Sequence, residues 1–137
     1  MSQGEYVAPE KIEDVYGRSR FVLQIFVYGD SLESFLVAVV VLDEEAVKKW
    51  ADSQGISAQT SSGEWNPKLK QVVLEDMTRE GKRRDLMSYE QVKGIEFIKE
   101  PFTLENGLLT PTFKARRFAV EKKYKDVFQK IYQRSKQ

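Results

Sequence analysis

Two runs built almost wholly of apolar, β-branched and aromatic residues, Phe21–Tyr28 and Phe35–Leu42, constrain this chain more than any other feature. Runs of this length and composition read as β-strands, and continuous apolarity, without a polar alternation, predicts burial on both faces. The intervening Gly29-Asp-Ser-Leu-Glu-Ser34 is rich in residues that tolerate tight backbone angles, so the runs are predicted to fold back as a hairpin. A sheet hidden on both faces needs helices to cover it.

The flanking sequence supplies those helices. Pro9 suits a first helical turn, Ile12, Val15 and Tyr16 share one face, and Gly17 stops the pattern. Asp43 is placed to cap a helix that turns Ala46, Val47, Trp50 and Ala51 inward. Pro67 opens another, with Leu69, Val72, Val73 and Met77 at helical spacing, which Gly81-Lys-Arg-Arg-Asp85 is expected to break or fray. Ser88-x-x-Gln91 resembles a capping box on a short turn, and Ile95–Ile98 after Gly94 reads as a short strand. A last helix is expected from about Ala115 onward, with Val120, Tyr124, Val127, Phe128 and Ile131 on its apolar face. The Gly/Ser/Thr-rich stretch from Gln54 to Asn66 is the best candidate for a mobile loop. The result is one α+β domain over residues 1–137, a small and mostly antiparallel sheet packed with helices. Tyr6 and Val7 look like the return strand of a hairpin lacking its first half, so the chain is expected to be a piece of something longer.

Composition narrows the chemistry. There is no cysteine and no histidine, which excludes thiolate chemistry, Ser-His-Asp catalysis, the usual zinc sites and a neutral-pH imidazole base. Lys+Arg total 22 against 21 Asp+Glu, a net charge of +1 that exerts no general pull on nucleic acid or anionic membrane. The longest apolar run, Phe35–Leu42, is too short to span a bilayer, and Met1–Tyr6 lacks the regions of a signal peptide, so an intracellular setting is expected. The carboxylates Glu10, Glu13 and Asp14 read as helix acids that complement the dipole, not as a metal site.

Phosphate signatures of the G-x-x-x-x-G-K-[ST] and G-x-G-x-x-G types are absent. What remains is Asn106-Gly-Leu-Leu-Thr-Pro-Thr-Phe-Lys114-Ala-Arg-Arg117, a Gly/Pro-punctuated turn that ends in cations where a helical pattern resumes. Cations at a helix N-terminus oppose the dipole, so Lys114, Arg116 and Arg117 stand where helix stability alone would not put them. From the residues alone, Lys114 is either a ligand for a phosphate or carboxylate or a solvated lysine in a first helical turn. The basic clusters Lys82-Arg83-Arg84 and Arg116–Lys125 leave open a free-standing module that binds phosphorylated ligands or nucleic acid.

Two segments together resemble the long-chain fatty acid–CoA ligase branch of the adenylate-forming enzymes. Gly4-Glu-Tyr-Val-Ala-Pro-Glu-Lys-Ile-Glu13 is similar to the segment just past the hinge of those enzymes, and Asn106–Lys114 to their terminal lysine motif. Phe26–Ser31, the strand to Leu42 and Leu74–Met77 fit the same branch, so the resemblance covers nearly the whole chain. It departs at Arg116, where the family commonly has lysine, and in the Gln54–Asn66 loop.

The resemblance implies the small, mobile C-terminal domain, with the large N-terminal domain as its partner and no phosphate loop, acyl pocket or metal ligands of its own. It implies ATP and coenzyme A as co-substrates, Mg²⁺ held mainly by the large domain, and a two-step conversion of fatty acid to acyl-adenylate and then thioester. Lys114 is implied as the catalytic lysine of the first step. Gly4, Glu5 and Tyr6 are implied to face the site in the second step, with Gly4 close to the pantetheine arm. Arg116 and Arg117 are implied as partners of the coenzyme A phosphates. Isolated, such a domain is expected to be inactive; its setting would be cytosol-facing, and any membrane association of the parent protein would come from other segments.

Overall fold

The computed structural model describes residues 7–135. Three strands, β1 (Val22–Tyr28), β2 (Leu36–Leu42) and β3 (Val92–Phe97), form one sheet in the order β1-β2-β3. The hairpin pairing is antiparallel, as expected, with Phe26 opposite Val39 and Tyr28 opposite Val37. The second pairing, β2 with β3, is parallel. The sheet is therefore mixed, not mostly antiparallel, because a parallel neighbour needs a long crossover and helices α2 (Glu44–Gln54) and α3 (Pro67–Arg83) supply it.

The order also corrects which strand is hidden. Every residue of β2 is buried, and its alternate side chains serve two cores. Leu36, Ala38 and Val40 pack among α1 (Pro9–Tyr16), α2 and α3, while Val37 and Val39 face Phe128 and Ile131 of α5 (Lys125–Ser135). β1, expected to be covered on both faces, is an edge strand: a register irregularity between Val22 and Gln24 leaves Leu23 exposed. With β3 on the far side of β2, the apolar run at β1 covers the core only in part.

Local rules explain most helix ends. Pro9 and Pro67 stand at first turns, the Asp43 carboxylate accepts from the Ala46 N–H at 3.2 Å, and the Asn66 side chain accepts from Lys68 N–H at 3.0 Å. α3 runs through Gly81 and ends at Arg83, inside the Gly81–Asp85 stretch expected to break it; Gly81 itself stays helical, buried against Gln91 where a side chain would collide. The short turn Ser88–Glu90 is closed by Glu90, whose carboxylate accepts from Met87 N–H at 2.8 Å. Gln91, expected in that role, accepts instead from the buried Tyr16 hydroxyl at 2.8 Å, and the same hydroxyl accepts from Val92 N–H. Burial pushes the Tyr16 phenol up to about 12, so it remains a neutral donor. β3 begins at Val92, three residues earlier than Ile95, and includes Gly94, because Leu36 and Val37 of β2 pair with Val92 and Gly94. The last helix starts at Arg117 and is interrupted at Tyr124, giving α4 (Arg117–Lys123) and α5, although i→i−4 hydrogen bonds run across the interruption.

Candidate functional site

The lysine turn is built from its own side chains outward. Asn106 organises the approach: its Oδ1 accepts from the N–H groups of Thr103 (3.0 Å) and Leu108 (3.1 Å), and its Nδ2 donates to Glu100 and to the Pro101 carbonyl. Gly107 follows at φ 78°, the left-handed conformation that glycine adopts without penalty. Leu108 and Phe102 are buried and anchor the segment in the core beneath α5. The chain then forms a tight hairpin whose arms meet at Leu109 and Ala115. Thr110 N–H donates to the Lys114 carbonyl at 2.7 Å, Phe113 N–H to the Thr110 carbonyl at 2.9 Å, and Lys114 N–H to the Thr110 hydroxyl at 3.1 Å. Pro111 presets the turn, and Phe113 takes the left-handed position that closes it, at φ 63°.

Lys114 is thus presented by a hairpin, not by the first turn of a helix. The helix starts at Arg117 with Arg116 as its cap residue, so the dipole argument does not reach Lys114. The lysine is exposed, and its ammonium forms no ion pair with the described residues. Phe113 (76% exposed) precedes it in the turn, and Phe118 (82% exposed) follows in the first turn of α4, two large apolar side chains left in solvent.

A second arrangement joins this segment to the rest of the molecule. The Arg117 guanidinium donates to Glu13 Oε1 at 3.0 Å, to Glu13 Oε2 at 3.1 Å and to the Val27 carbonyl at 2.8 Å, and it lies 4.1 Å from the centroid of the Phe26 ring. Glu13 Oε2 also accepts from Val27 N–H at 2.7 Å. The pair therefore satisfies the outward backbone groups of edge strand β1, where a further strand would otherwise bond. Nearby, the Gln24 side chain exchanges two hydrogen bonds with the backbone of Phe102 and ties that segment to β1. Burial pushes the Glu13 carboxyl up, and the hydrogen bonds from Arg117 and Val27 offset that only in part. Between α1, the β1 edge and the hairpin lies an open cleft of about 270 Å³, with Glu13, Leu23, Gln24, Phe102, Lys114 and Arg117 in its walls.

Of the residues singled out in the sequence, Lys114 and Arg117 share this cleft and Arg116 is exposed beside it. Gly4, Glu5 and Tyr6 lie outside the described residues. Glu13, read as an ordinary helix acid, was missed as the partner of Arg117. A signal existed: only Glu10 occupies the first turn, so the dipole gives Glu13 no reason to be acidic. Among the described residues no group of His, Cys, Asp and Glu could hold a metal ion, and no helix is long and apolar enough to cross a membrane.

Residues 11–103 match the family described as AMP-binding enzyme C-terminal domain. This chain belongs to that family. Within it, the chain is 48% identical over 132 residues to long-chain-fatty-acid–CoA ligase 6 of Homo sapiens, covering 96% of this chain and 19% of that protein. It is 46% identical over 133 residues to long chain acyl-CoA synthetase 6, peroxisomal, of Arabidopsis thaliana, with coverage of 96% and 19%. The chain spans about a fifth of the length of these curated relatives. The A-PCP didomain of carboxylic acid reductase from Segniliparus rugosus, in complex with AMP, superposes with a TM-score of 0.80 at 34% identity over 98% of this chain and 17% of that one. The α+β class expected from the sequence is thus the fold of this AMP-binding C-terminal domain.

The free-standing binding module has no such support. Arg83 and Arg84 are tied to Glu80, Arg117 to Glu13 and Lys123 to Glu100, so much of each basic cluster is already neutralised within the fold.

Proposed function

We propose that this AMP-binding C-terminal domain works as the small domain of a long-chain fatty acid–CoA ligase, residues 1–137 forming one unit, and that Lys114 is its catalytic contribution. In the first half-reaction a fatty acid carboxylate attacks the α-phosphorus of ATP, forming acyl-adenylate and releasing pyrophosphate. In the second, the coenzyme A thiol attacks the acyl carbonyl and loses its proton, and AMP departs. The observation that carries the reading is the geometry of Lys114: an exposed ammonium with no ion pair among the described residues, on a hydrogen-bonded hairpin next to the exposed Phe113. Such a surface suits insertion into a site on another domain.

The first step brings two anions together and builds charge on the transferring phosphoryl group. A positioned ammonium offsets both, and lysine serves as a point charge that can reach the carboxylate and the α-phosphate together. Mg²⁺ belongs with the large domain in this reading. For the second step the small domain turns about its hinge, Lys114 leaves, and Gly4, Glu5 and Tyr6 face coenzyme A. Arg116, exposed at the head of α4, is the better candidate for a coenzyme A phosphate. Arg117 is committed to Glu13 and Val27 and is assigned a different part below. An intracellular, cytosol-facing setting fits a chain with no cysteine, while a peroxisomal setting fits the name of the Arabidopsis relative.

The test is Lys114→Ala in a fusion that places this chain behind the large domain of a related ligase. Adenylate formation from ATP and fatty acid should fall at least a hundredfold, while thioester formation from supplied acyl-adenylate stays within a few-fold. Equal loss in both half-reactions would remove Lys114 from this role.

A further inference from the structure

We propose that Glu13 and Arg117 are a positioning pair that sets the reach of Lys114, clamping the catalytic hairpin to the edge of β1. The inference rests on the reading of Lys114 as catalytic and adds two residues that do not touch substrate.

Arg117 lies three positions after Lys114, and four groups hold it: both Glu13 oxygens, the Val27 carbonyl and the Phe26 ring face. Glu13 in turn is fixed by Val27 N–H. The hairpin base is tied to this fixed point over a short path, through the Arg116 N–H to Leu108 carbonyl bond at 2.8 Å and the Leu109–Ala115 bridge. The position of Lys114 is thereby referenced to α1, the first helix of the described chain, through the Arg117–Glu13 pair, whose partners are 104 residues apart. Glu13, Arg117 and Lys114 also line one cleft.

Two physical points favour positioning over plain stabilisation. Burial pushes the Glu13 carboxyl up despite its hydrogen bonds, so the folded state holds this charge at a cost. A pair in that condition adds little net stability but strongly specifies geometry. Second, only the planar guanidinium fork can meet a carboxylate in two places, a carbonyl and a ring face together. Lysine keeps the charge and loses that geometry.

The test uses the ligase fusion with Glu13→Gln, Arg117→Lys, Arg117→Ala and each of these combined with Lys114→Ala. The expected result for each single variant is a 10–100-fold fall in kcat for adenylate formation with KM for ATP within about threefold, the scale of a displaced catalytic group. Thioester formation from supplied acyl-adenylate should persist. In the Lys114→Ala background the same variants should cost less than about twofold more, because the group they position is gone. Hydrogen exchange on the 137-residue chain should quicken at the Thr110, Lys114 and Arg116 amides by at least tenfold in Glu13→Gln, with the β2 amides unchanged. Full additivity with Lys114→Ala, equal loss in both half-reactions, or unchanged hairpin exchange would overturn the proposal. Retained adenylation in Lys114→Ala alone would overturn the catalytic reading, and this inference with it. A loss in Lys114→Ala without one in the Glu13 and Arg117 variants would overturn only the inference.

Discussion

Phe113 offers a sharp test because the protein builds the same turn twice. In the hairpin Thr60–Glu64, Thr60 N–H donates to the Glu64 carbonyl at 2.7 Å and Gly63 N–H to the Thr60 carbonyl at 2.9 Å, with arms joined at Gln59 and Trp65. The hairpin Thr110–Lys114 repeats both bonds at the same lengths. The left-handed position is Gly63 (φ 87°) in the first and Phe113 (φ 63°) in the second. A non-glycine residue there costs roughly 1–2 kcal/mol, while glycine costs roughly 0.4–1 kcal/mol through the unfolded chain. Phe113→Gly and Phe113→Ala both delete a ring that is 76% exposed, so their difference isolates the backbone. Phe113→Gly should therefore be more stable than Phe113→Ala by roughly 0.5–1 kcal/mol, or about 2–4 °C in Tm. Gly63→Ala should lose a similar amount, since nothing lies within 4 Å of its added methyl and only φ is at stake. Urea and thermal melts of the three variants and the parent measure this. Phe113→Ala matching or exceeding Phe113→Gly would refute the strain argument. Strain retained at a loop of this kind points to function. In the ligase fusion, Phe113→Gly should accordingly slow adenylate formation several-fold while leaving the fold more stable than Phe113→Ala.

Two other predictions concern the scaffold. Gly81→Ala should destabilise by about 1–3 kcal/mol in urea melts, against its helix-favouring tendency, since the new methyl would fall 2.5 Å from Gln91 Oε1, the acceptor of the buried Tyr16 hydroxyl; a gain in stability would show that Gln91 yields freely. Glu96 Oε2 accepts from Lys70 at 3.1 Å and Arg134 at 2.8 Å, and although burial opposes ionisation, these partners hold its carboxyl below 4.5. The unfolded chain then binds the proton more readily, so this contribution is present above pH 4.5 and lost as pH falls below it. Glu96→Gln should flatten the acid limb of the stability–pH curve, and parallel limbs for parent and variant would refute the assignment.

Where a rule acts within a few residues, the sequence was readable. Pro9, Asp43 and Asn66 mark helix starts because proline geometry and side-chain caps depend on immediate neighbours. The hairpin of β1 and β2 follows from two apolar runs and a short polar turn. Lys114 was visible as a displayed cation, but its helix was placed two residues early, since Thr110 satisfies the Lys114 backbone through a turn that propensity does not reveal.

The sequence by itself therefore determined most of the elements, the hairpin of β1 and β2 and the cation displayed at Lys114, all products of local periodicity, turn residues and caps. Only the tertiary structure decided that β3 joins β2 in parallel, making β1 an edge whose open groups at Val27 must be met from elsewhere. Only it brought Glu13 and Arg117 together to meet them. The reason is physical: an edge becomes an edge, and a helix acid becomes an arginine's partner, when the chain returns after about a hundred residues, and no period or propensity in a short window records where it returns.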